Sequence, residues 1–127
     1  MAGFSRYLQR EVLDHVFKVG AYTVPTNIYV ALFTAAAECS GTDYARELCN
    51  SWDAATDADP SVVDNTSIID FGTAGSGGWG ELTRFAIYDA ITDGNLLTDI
   101  TALTAAKTVN AGDPVTFAAG ALQVTLD

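Results

Sequence analysis

The stretch Gly77-Gly78-Trp79-Gly80-Glu81-Leu82-Thr83-Arg84-Phe85-Ala86-Ile87-Tyr88-Asp89 restricts the possible folds more than any other part of the chain. Glycines hand over to a run dominated by apolar and aromatic residues. Period two marks a strand, because successive side chains point to opposite faces of a sheet. Leu82 shares its parity with Arg84, while Phe85, Ile87 and Asp89 share the other. Phe85 and Ile87 are expected to face a core, with Ala86 and Tyr88 on the opposite side. Ala86 is small, which suits a second covered face.

A helix is expected over residues 3–19. Phe4, Leu8, Val12 and Val16 recur at every fourth position and, with Leu13 and Phe17, form one broad apolar stripe. Ser5 is a candidate N-cap and Gly20 a candidate stop. Such a helix either packs on its own sheet or docks on a neighbouring subunit. His15, the chain's single histidine, reads as a partly buried helix residue rather than a ligand or base.

Beyond the helix, strands are expected at 27–34 (covered on both faces), 44–49, 67–73, 96–103, 107–109, 114–118 and 121–126. In the last, Leu122, Val124 and Leu126 point inward and Gln123 and Thr125 outward. Thr92-Asp93-Gly94-Asn95 is a turn signal. Short strands separated by turns point to an antiparallel sandwich or barrel. The expected fold class is mainly β: an antiparallel, jelly-roll-like β-sandwich over 22–127 preceded by one N-terminal α-helix. At 127 residues the chain suits a single domain, 1–127.

Charge narrows the function classes. Six Lys or Arg against sixteen Asp or Glu leave a net charge of −10. That surface repels nucleic acid and anionic membranes, and suits a basic protein partner or cations. Charged residues make up only 17% of the chain, below the usual ~25%, which hints at surface hidden in an assembly. No run of about 20 apolar residues reads as a membrane span, and the N-terminus does not read as a signal peptide. Folding in a cytoplasm is expected. Cys39 and Cys49 read as free thiols, with a loop-spanning bridge as the alternative.

The acids Asp53, Asp57, Asp59 and Asp64 sit in an irregular stretch over 50–65 without the spacing of a calcium loop. It reads as a solvated loop pinned by Trp52, and no metal is expected. The glycine-rich 72–80 loop leads into a strand rather than a helix, so phosphate binding is not expected. No pattern supports a nucleophile and base, a catalytic carboxylate pair or a cofactor. No catalytic or cofactor-binding residue is assigned. Trp52, Trp79 and Tyr88 are candidates for stacking on a sugar, or else fill a core or interface.

Several segments carry a resemblance. MAGFSRYLQREVLDHVF, TVPTNIYVALFTA, Tyr44-Ala45-Arg46, WGELTRFAIYDA, GNLL and KTVNAGDPVTFAAGALQVTLD together resemble a group of small tailed-bacteriophage virion proteins. Members are labelled as tail-fibre or structural proteins, and similar small β-rich proteins decorate or cement phage heads. Residues 49–65 depart from the expected pattern through extra acids and Cys49. The resemblance implies a non-enzymatic virion structural protein made in the bacterial host cytoplasm. Its first expectation is a capsid decoration or cement protein bridging the major capsid protein, as a homo-oligomeric dimer or trimer. The alternative is a tail or tail-fibre component contacting tail proteins, and a carbohydrate-binding module is a third reading. The candidate interface residues are Phe4, Leu8, Val12, Val16 and Trp79.

Overall fold

A computed structural model describes residues 2–126. Among them one helix, α1 (Arg6–Val16), precedes eight strands: β1 (Tyr29–Phe33), β2 (Glu47–Leu48), β3 (Val62–Asp64), β4 (Ile69–Thr73), β5 (Gly80–Tyr88), β6 (Thr101–Val109), β7 (Pro114–Phe117) and β8 (Gln123–Thr125). These strands pair antiparallel throughout, in a four-stranded sheet of order β2-β1-β5-β6 and two ribbons, β3-β8 and β4-β7. The arrangement is mainly β and sandwich-like. Its pairings do not by themselves trace a jelly roll. The two ends of the expected domain, residues 1 and 127, lie outside the described residues.

β5 holds the sheet together, with β1 on one side and β6 on the other. Val30, Leu32, Phe85 and Ile87 lie in the main core, while Ala31, Phe33 and Ala86 form a small second cluster with Tyr88 and Leu96. Both faces of β1 are therefore covered, as its unbroken apolar run predicts. Leu82 departs from the expected parity. The β5–β6 register shifts between Leu82 and Arg84. Two residues of β5 there span five of β6, so the ladder is irregular at this point, and Leu82 enters the main core together with Phe85 and Ile87.

Aromatic rings close the core beneath the β4-β7 ribbon. Tyr44 stacks on Phe71, Trp79 meets Tyr44 edge-on at 5.5 Å, and Phe71 meets Phe117 edge-on. Gly78 is required at its position. Its φ is +69°, and an added Cβ would sit 2.6 Å from the Val109 carbonyl oxygen.

The first described residues are extended rather than helical. Ala2 bridges Val124 and Phe4 bridges Thr98, so this segment is stitched between β8 and residues 96–99. The Ala2 N–H donates to Gln123 O and the Asp99 N–H to Gly3 O. This seam accounts for another departure. Residues 96–99 pair with the N-terminal segment and with the end of β5, and the long strand begins only at Thr101. The expected strand at 44–49 shrinks to Glu47–Leu48, and the acidic 50–65 stretch contains β3. Trp52 does pin that stretch, bridging Asn65 and donating its indole N–H to Cys49 O. Leu126 is exposed, whereas Thr125 is buried. The Thr125 backbone N–H donates to Ala2 O, which draws the expected outward residue into the seam. Cys39 and Cys49 are buried free thiols.

Two polar side chains tie distant loops together. Asn65, 1% exposed, donates to the Ser67 and Ala118 carbonyls and accepts from the Leu122 N–H. Arg46 grips Glu38 with two charge-assisted bonds of 2.9 Å and donates to the carbonyls of Ala90 and Asp93. Its guanidinium lies 3.7 Å from the Tyr88 ring centroid. The Asp93-Gly94 turn it holds has positive φ at both residues, the geometry an Asp-Gly pair favours.

The Arg46 bonds hold the Glu38 carboxyl below its ordinary range. An unfolded Glu titrates near ~4.3, so this stabilisation is present above that pH and is lost as pH falls through the depressed folded value. Acidification below about pH 4 should therefore destabilise the wild type more than Glu38→Gln. Parallel urea midpoints measured across that range check this, and equal slopes for the two proteins would contradict it.

Candidate assembly interface

α1 begins at Arg6, three residues after the expected start, with Ser5 as the cap that the sequence offers. The Ser5 hydroxyl accepts from the Leu8 N–H and donates to Leu96 O, so one residue caps the helix and anchors it to the seam. The helix stops before Gly20. Lys18 takes the left-handed conformation, φ +67°, with its N–H donating to His15 O and the Val19 N–H to Asp14 O. This is a Schellman ending with lysine in the position glycine usually fills. Exposed His15 reinforces it by accepting from the Tyr22 N–H through Nδ1, which corrects the expectation of partial burial.

A side chain in the left-handed region costs about 1–2 kcal/mol, partly offset by a cation near the helix C-terminus. Lys18→Gly should therefore stabilise the protein by about 0.5–1 kcal/mol. Thermal melts, with slower amide exchange at residues 13–19, are the readout. A lower melting temperature would refute the strain argument.

The apolar stripe is wider than one contact can bury. Its inner side, Phe4, Tyr7 and Leu8, packs half-buried on the core. Beneath it lies an apolar cavity of about 150 Å³, touching Trp52, Val63 and Leu97. Val12 lines an open groove of about 570 Å³ with Leu8, Tyr22, Val24 and Pro25. The outer side has nothing over it among the described residues. Leu13 is 58% exposed, Val16 59%, Phe17 72%, Val19 77% and Val24 75%. Fully burying a large apolar side chain is worth roughly 1.5–3 kcal/mol. Five such side chains stand open within twelve residues.

Charge sets this segment apart as well. Residues 3–20 carry Arg6, Arg10 and Lys18 against Glu11 and Asp14, net +1, so the remaining residues sum to −11 against the chain's total of −10. Two charges within α1 oppose the helix dipole: the first turn carries Arg6 and no acid, and Asp14 falls in the last turn, beside His15. Such placements cost roughly 0.3–1 kcal/mol each in an isolated helix.

Of the candidate interface residues, Phe4, Leu8 and Val12 lie on the inner side and Val16 on the open side. Trp79 is 4% exposed, with its indole N–H donating to Thr42 O, so it is a core residue in this chain. The three aromatics do not form a stacking platform. Trp79 is buried, Trp52 is half-buried beneath α1, and Arg46 covers the Tyr88 ring. Phe17 and Leu13 belong to the periodic stripe, but Val19 and Val24 carry no periodic signal. Nothing local in the sequence announces the Arg46–Glu38 pair.

Among the described residues no three His, Cys, Asp or Glu side chains converge as a metal site. In the acidic stretch, Asp53 instead accepts the Asp64 N–H. No described helix is long and apolar enough to cross a membrane.

A family profile described as "Podophage GP4 fiber I protein gp80" matches residues 3–125. The match takes in α1 and all eight strands. No curated protein matches the chain.

Proposed function

The chain belongs to the podophage GP4 fiber I protein gp80 family of phage structural proteins, and from that premise we propose that it is a structural component of the tail fibre. The family description supports a fibre over the capsid decoration expected first. The observation that carries an assembly role is the uncovered apolar side of α1, with Phe17 72% exposed. In this reading α1 is the contact element, the sandwich is a stiff mount for it, and no reaction is assigned. Partners are tail proteins and further copies of the chain.

The experiment is copy counting by mass spectrometry on purified virions, combined with gold-labelled antibody in electron micrographs. Label on the tail fibres at low copy number is expected. Label spread over the head at hundreds of copies would replace this reading with the decoration one.

A further inference from the structure

The outer face of α1 has two unlike halves. At about 100° per residue, Arg6, Gln9 and Arg10 share it in the first half, where they line one surface depression. Leu13, Val16 and Phe17 share it in the second half and stand open. A partner for this face must cover apolar side chains at one end and meet cations at the other.

We propose that the partner is the same face of a second copy, with the two α1 helices antiparallel about a two-fold axis. This rests on the reading of α1 as the assembly contact. A two-fold contact needs a self-complementary patch, and the antiparallel arrangement supplies one. The Arg6–Arg10 half of each helix then lies against the Leu13–Phe17 half of the other. Arginine stems cover apolar side chains while their guanidinium groups reach solvent or the Phe17 ring. Arg10 of one copy comes near Asp14 of the other, and the two helix dipoles oppose. A parallel pair would set Arg6 and Arg10 beside their own counterparts.

Sedimentation equilibrium on the full chain tests the contact. A dimer is expected. Phe17→Ser should raise its dissociation constant about tenfold or more, and Arg10→Glu should also weaken it. Arg10→Glu combined with Asp14→Arg should recover most of the loss. Phe17 and Arg10 are exposed, so circular dichroism should show every variant folded. Three results would each overturn the proposal: a wild type that stays monomeric at the highest soluble concentration, an oligomer indifferent to Phe17→Ser, or tighter association in Arg10→Glu. The outcome is separable from the virion experiment. A fibre-located chain that is monomeric in solution sinks only this contact, and a dimer labelling the head sinks only the fibre placement.

Discussion

Arg46→Ala is expected to destabilise the protein by about 3 kcal/mol, far more than the loss of an ordinary surface charge. An exposed ion pair would be worth at most about 1 kcal/mol. Arg46 is different because its side chain is 8% exposed and Glu38 is 26% exposed. Truncation leaves a partly buried carboxylate without its cation and frees the carbonyls of Ala90 and Asp93. It also uncovers the Tyr88 ring, which packs against the second small core cluster. Removing one member of a buried pair costs about 3–5 kcal/mol, and the residual exposure of Glu38 places this case at the low end. Urea denaturation gives the number. Amide exchange should show residues 90–95 opening first, because Arg46 is what joins that turn to the 38–46 loop. A loss under about 1 kcal/mol would mean the network behaves as a surface pair.

Leu82→Ala is the second large effect, at about 2–5 kcal/mol. Leu82 is 1% exposed and sits in the main core with Phe85 and Ile87. Truncation removes buried methyl groups and leaves a cavity that the paired strands around it can close only in part. Simple alternation along β5 would put Leu82 with Arg84 on the thinly covered side and make the change mild. Denaturant titration therefore tests which face Leu82 takes as well as the packing. Ile87→Ala, on the regular part of the same face, should cost a similar amount. If Ile87→Ala is costly and Leu82→Ala is not, Leu82 lies outside the core.

Much of the fold is legible where the signal is local. The β5 faces at Phe85, Ala86, Ile87 and Tyr88 follow from alternation. The two-sided burial of β1 follows from its apolar run, and Ser5 is readable as a cap. Departures arise where a distant segment competes. Residues 3–5 have the pattern of a helix start, yet they pair with residues 97–99. The same pairing explains why the expected 96–103 strand starts later. β3 is hidden in an acidic stretch because its partner, β8, lies some sixty residues on. Trp79, in a glycine-rich loop, has the sequence setting of an interface residue, but the fold turns it inward to Thr42 and Tyr44.

The apolar surface of α1 divides in the same way. The periodicity of α1 reveals more apolar residues than one face needs, but not which of them the sandwich covers.

By itself, then, the amino-acid order determined a β-rich chain with one amphipathic N-terminal helix, a central alternating strand and an acidic surface. Those properties depend on neighbours a few residues apart, through backbone period, capping and summed charge. Only the tertiary structure decided that Leu82 turns inward, that Arg46 is buried, and that Leu13, Val16 and Phe17 stay open. Burial is a relation between segments far apart in the chain, and no local pattern states which of two apolar faces a distant strand will reach.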